Sequence, residues 1–111
     1  MRITKPSEVI FIDNKTEKAF EKLDDDDEIK RAIKRAIKDL QQNAYSGIQI
    51  PKRLLPKEYI KKYEIENLWK YNLPNGWRLI YSLAPQNKVE ILTLVLEWFD
   101  HKNYNRKFKY S

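Results

Sequence analysis

Residues 67–83 read NLWKYNLPNGWRLIYSL, and their pattern decides the fold. Two runs rich in aromatic and branched residues, NLWKYNL (67–73) and WRLIYSL (77–83), flank Pro74-Asn75-Gly76. Asn-Gly between such runs is a strong short-range hairpin signal. Along the second run side chains alternate, so Trp77, Leu79, Tyr81 and Leu83 share one face while Arg78, Ile80 and Ser82 share the other. An arginine inside an apolar strand either reaches a sheet surface open to solvent or is held by a carboxylate. Lys70 and Asn72 are its candidate neighbours across the hairpin, which would gather cations on one sheet face.

Downstream, a second turn at Pro85-Gln86-Asn87 leads into VEILTLVLEWF (89–99). This near-continuous apolar run without clean alternation predicts a central strand covered on both faces or flanked by buried residues. Residues 100–108 follow as a short helix or an ordered tail. Upstream, 48–65 is irregular, broken by Pro51 and Pro56, with one helical turn expected over 57–62. Before it comes the clearest helix: Ile29, Ile33, Ile37, Leu40 and Ala44 form one apolar stripe. Lys30, Arg31, Lys34, Arg35 and Lys38 are expected on its other face, with Gly47 as its stop. Asp24 to Glu28 place acids where the positive end of that helix favours them. Asn14 and Glu17 form a capping-box pattern opening a first helix through Leu23, and EVIFI (8–12) reads as a first strand. The order β-α-α-β-β-β predicts one α+β domain over 1–111. Two N-terminal helices would pack on a mostly antiparallel four-stranded sheet.

Composition narrows the chemistry. The 111 residues are 41% hydrophobic, enough for one modest core. No apolar run is long enough to span a membrane, and the N-terminal stretch turns acidic before anything resembling an export signal, so a cytoplasmic protein is expected. There is no cysteine and a single histidine, which argues against a thiolate or histidine metal cluster. The formal charge of +6 serves solubility as well as it serves a polyanion. Its distribution is more telling. The stretch 48–63 holds Lys52, Arg53, Lys57, Lys61 and Lys62 against Glu58 alone, and from His101 onward there is no acid. All aromatics except Phe11 and Phe20 lie from Tyr45 onward, among these cations, as a base-stacking surface would need. Trp69, Trp77, Trp98 and Phe99 are also natural core residues.

RNA cleavage needs no metal when the 2′-hydroxyl attacks the adjacent phosphate. A base takes the proton, a cation stabilises the phosphorane and an acid protonates the leaving oxygen. Arg78 suits the cation role because its planar fork holds phosphate oxygens and keeps its charge. His101 and Tyr104 suit proton transfer. A surface arginine, a solvated histidine and a tyrosine anchoring a terminal helix with Phe108 are the plain alternatives.

Taken together, the element order, NLWKYNLPNGWRLIYSL and the closing VLEWFDHKNYNRKF resemble the RelE/ParE superfamily of type II toxin–antitoxin toxins, especially archaeal members. That family carries Gly-Tyr/Trp-Arg-Leu-Val/Ile-Tyr on its third strand, and GWRLIY is the most specific match. The resemblance implies a ribosome-dependent mRNA endonuclease without cofactor or metal, held inactive by a cognate antitoxin. Arg78 then matches the arginine on the scissile phosphate and Lys70 a second-strand lysine. His101 and Tyr104 fall where such toxins place proton-transfer residues. Asn72 stands where a further lysine is usual, and His-x-x-Tyr replaces the adjacent pair of some relatives. Lys52, Arg53, Lys70, Lys102, Arg106 and Lys107 would contact RNA, with the ribosome and mRNA as partners. Two other activities fit the same fold: a ParE-like gyrase inhibitor and a non-catalytic nucleic-acid-binding protein.

Overall fold

The computed structural model describes residues 4–108. The chain runs β1 (Ser7–Phe11), α1 (Asn14–Glu21), α2 (Glu28–Gln42), β2 (Ile48–Gln49), α3 (Lys57–Tyr63), β3 (Trp69–Asn72), β4 (Arg78–Pro85), β5 (Ile91–Phe99) and α4 (His101–Phe108). It is an α+β fold, with five strands ordered β1-β5-β4-β3-β2. The expected hairpin is β3–β4, with Asn72 opposite Arg78 and Lys70 opposite Ile80. Its tip is a 3-10 turn over Pro74–Gly76, in which Asn75 and Gly76 both take positive φ. β5 lies inside the sheet as expected, antiparallel to β4 and parallel to β1.

Three features differ from the four-stranded, two-helix expectation. The sheet is mixed, because β1 joins β5 in parallel after the α1–α2 crossover. A fifth strand, β2, adds to the β3 edge, too short at two residues to leave a pattern in the sequence. Helices also cover both faces. α1 and α2 pack on one, where Ile33, Ala36 and Leu40 meet Leu79, Tyr81 and Val95. α3 and α4 pack on the other, where Tyr59, Tyr104 and Phe108 meet Ile80 and Leu96. Residues such as Ile33 and Leu79 are fully buried, and each contributes about 1.5–3 kcal/mol by leaving water.

The alternation read along β4 holds: Leu79 and Tyr81 face α2, and Ile80 faces α4. β5 breaks alternation because its register slips between Ile80 and Tyr81, pairing them with Glu97 and Val95. The extra residue turns Leu96 and Glu97 to the same side, where Leu96 joins the α3/α4 core and Glu97 accepts a hydrogen bond from the Tyr59 hydroxyl. The unbroken apolar run itself follows from cores on both faces of the sheet, to which β5 contributes Val95 on one side and Leu94 and Leu96 on the other.

Local details were redistributed too. Asp13, not Asn14, caps α1 by accepting from Thr16 N at 2.8 Å, and Asp27 caps α2 by accepting from Ile29 N at 2.8 Å. Lys30 is buried rather than solvated: its Nζ donates to the carbonyls of Leu23 (2.9 Å) and Glu21 (3.4 Å) and to Asp25. These bonds satisfy carbonyls at and just beyond α1's C-terminal end and, with Asp25, make the burial tolerable. α2 ends at Gln42, ahead of Gly47. Gly47 serves the sheet instead, since a Cβ there would lie 2.4 Å from Lys70 O and from Tyr81 Oη.

Candidate nucleic-acid interface

The face bearing α3 and α4 holds the cations that the sequence singles out. β5 ends opposite the start of β4, with Phe99 paired to Arg78, so α4 begins two residues beyond Arg78's cross-strand partner. Asp100 fixes that start by accepting from Asn103 N at 2.8 Å, and α4 folds back over the sheet. Tyr104, one turn in, is 2% exposed and packs in the core with Ile80 and Leu96. Two cations rest against its ring: Lys70 Nζ at 5.3 Å and Arg78 Cζ at 5.7 Å from the centroid. A ring quadrupole attracts such charges and lets two of them share one small area.

Arg78 is half-buried and incompletely satisfied. Its Nη1 donates to the Trp77 carbonyl at 3.2 Å, while its Nε is buried with no acceptor among the described residues. No carboxylate among those residues lies within ion-pair distance of it. Of the two expectations for an arginine in this strand, the sheet surface is met and the carboxylate clamp is not.

His101 opens α4, exposed, beside the hairpin tip. A Cβ on Gly76 would come within 3.1 Å of His101 Cβ, and Gly76 also has a φ of +80°. Glycine is therefore needed twice, for the turn and for the close approach of α4. Asn105 Nδ2 lies 3.2 Å from His101 Nε2, one helical turn along. Neither Gly76 nor Asn105 stood out as part of the site in the sequence. The i, i+4 spacing of His101 and Asn105 would have shown the pair once α4 was known to be a helix.

No protein-family model, curated protein or solved structure matches the chain.

The remaining cations form a looser ring. Lys107 is tied down, paired with Glu58 and lying 4.8 Å from the Tyr59 ring centroid, so it joins α4 to α3. Arg53, on the 3-10 turn Lys52–Leu54, lines a shallow depression with Glu58, Lys107 and Phe108. Arg106 lines its neighbour with Phe99 and Asn103. Lys52 and Lys102 are exposed, on the 3-10 turn and in the first turn of α4. The structure thus brings together Lys70, Arg78 and Tyr104, sets His101 beside the hairpin tip at the start of the same helix, and arranges Arg53, Arg106 and Lys107 around Glu58. Beneath them, burial and the Glu97 carboxylate push the Tyr59 phenol well above its usual range, keeping it a neutral donor. Among the described residues no group of three His, Cys, Asp or Glu is placed to hold a metal ion, and no helix is long and apolar enough to cross a membrane.

Proposed function

We propose that this protein is the toxin of a type II toxin–antitoxin pair, a RelE-like endoribonuclease that cuts mRNA on the ribosome. The observation that carries the reading is the placement of Lys70 and Arg78 on one aromatic ring, half-sheltered, with His101 at the adjoining helix start. A phosphate entering there meets two cations. The Arg78 guanidinium, which pairs with no carboxylate among the described residues, is available to charge that develops as the 2′-hydroxyl attacks. Lys70 neutralises a neighbouring oxygen. His101, exposed and steadied by Asn105, moves the proton, and Tyr104 holds the two cations rather than touching substrate. Antitoxin, ribosome and mRNA are the partners this reading requires.

Replacing Arg78 by alanine should lower ribosome-dependent cleavage at least ~10²-fold, the usual effect of deleting one charge-stabilising group. Cleavage by Arg78→Ala at the wild-type rate contradicts the assignment. Burial of Tyr104 and the presence of Asn72 opposite Arg78 favour a second reading, in which the same surface binds nucleic acid without cutting it. Wild-type protein that protects ribosome-bound mRNA yet yields no new ends would select that reading.

A further inference from the structure

A second set of cations lies on the other side of the molecule. The outward residues of α2 include Arg31, Lys34, Arg35 and Lys38, all exposed. Their spacing of three, one and three places them on one stripe, roughly 10 Å long at about 1.5 Å rise per residue. α2 buries its opposite side against Leu79 and Tyr81, so the stripe points away from the sheet. It shares no surface with Lys70 or Arg78, which lie under α4.

Three observations argue against a merely solvated face. None of the four cations makes an ion pair with a carboxylate among the described residues, although Asp25 and Asp39 flank the stripe. Arg31 with Arg35 and Lys34 with Lys38 are like charges at i, i+4, an arrangement that destabilises a helix by about 0.2–0.5 kcal/mol per pair. Solubility is served equally well by mixed signs. Finally, no large hydrophobic residue of α2 is exposed. A docking site for a protein needs buried apolar or aromatic anchors, and a single-stranded nucleic acid is usually held on aromatic platforms. A duplex needs neither, because its affinity comes chiefly from phosphates neutralised by Lys and Arg.

We infer that the outer face of α2 is a second nucleic-acid site, one that grips the phosphate backbone of a duplex without reading its sequence. It is independent of cleavage at Arg78. Long side chains leaning to both flanks of the helix would reach phosphates on the two strands beside a groove, while α4's face stays free for a single strand.

The test is binding of blunt 16-base-pair RNA and DNA duplexes, a single-stranded 16-mer and poly-glutamate to the full chain across a salt series. Wild type, Lys34→Gln/Arg35→Gln and Arg78→Ala are compared. The double variant should bind duplex roughly tenfold more weakly at moderate salt, with the log–log salt slope shallower by about 2. Arg78→Ala should bind duplex like wild type. Preference for the RNA duplex over the DNA duplex would specify the ligand as A-form, and equal binding would leave any duplex as ligand; both uphold the site. The double variant removes two like-charge pairs together with Lys34's attraction to Asp25, so it should melt near the wild-type temperature. The inference is overturned by unchanged duplex binding in the double variant, by loss of duplex binding in Arg78→Ala, or by poly-glutamate binding as tightly as duplex.

Discussion

The two faces of the sheet treat their positive charges in opposite ways. On the α2 side the packed residues are mainly apolar and, Lys30 apart, the helix turns its cations outward, exposed and without an ion pair to an acid among the described residues. Under α4 the cations turn inward: Lys70 and Arg78 lie against Tyr104, and Lys107 is held by Glu58 and Tyr59. An exposed cation is screened by water and salt and acts mainly by attraction at a distance. A half-buried one loses hydration, and its interaction with a charge beside it strengthens as the local dielectric falls. The first arrangement suits holding a polyanion, the second suits acting on one phosphate of it.

The comparison can be broken through the core. Leu79 fills the α2 side and Leu96 the α4 side, both fully buried. Leu79→Ala should cost close to the top of the ~2–5 kcal/mol range for such truncations, and Leu96→Ala closer to the bottom. The short helices α3 and α4 can relax into a space that the long α2 cannot. Urea melts measure both, and a larger loss for Leu96→Ala would reverse the relative rigidity assigned to the faces. Next comes Tyr81, whose hydroxyl donates to Ala44 O at 3.2 Å and accepts from Gly47 N at 3.0 Å. Tyr81→Phe should lose about 1–3 kcal/mol, because two backbone groups are left without their partner.

A smaller effect follows from alkali. The Tyr71 phenol, partly buried and bonded to Asp39, is pushed up to about 12. An unfolded tyrosine ionises near pH 10. Below that both states keep the proton; between about 10 and 12 only folded Tyr71 keeps it. Stability therefore falls as pH rises through this window. Tyr59 and Tyr81, also raised by burial, act in the same direction. Tyr71→Phe should flatten the decline in part, seen in denaturation midpoints between about pH 10 and 12, whereas an unchanged slope would show that Tyr71 does not contribute to it. Smallest is Glu58→Gln. Its carboxylate is exposed, so the α3–α4 tie to Lys107 should be worth no more than ~1 kcal/mol. The variant should also free Lys107 and raise affinity for single-stranded RNA modestly; unchanged RNA binding would exclude Lys107 from the interface.

Much of this was legible because it is periodic. The α2 stripe, the hairpin around Asn75-Gly76 and the side of β4 on which Arg78 falls all follow from spacing alone. The remainder depends on partners distant in sequence. β2 is only a two-residue addition to an edge, and α3 and α4, although a helical turn at 57–62 and a short helix at 100–108 were legible, carry too few apolar positions to show which face of the sheet they cover. Lys30 resembles its exposed neighbours in every local respect; its burial depends on α1 ending beside it. Tyr104 read equally as an anchor or as a proton donor, and only its burial and the placement of Lys70 and Arg78 on its ring decide for an anchor that positions those cations. His101 was visible as a residue type, but its contact with Gly76 depends on α4 returning to the hairpin tip.

The most direct measurement is mapping of 5′ ends on a ribosome-bound mRNA exposed to wild type, Tyr104→Phe and Arg78→Ala. Phenylalanine keeps the ring under both cations, so Tyr104→Phe should produce ends at the same positions as wild type and at comparable rate. Arg78→Ala should produce almost none. Ends from Arg78→Ala at the wild-type level, or none from the wild type itself, would contradict the claim that the α4 face cleaves RNA.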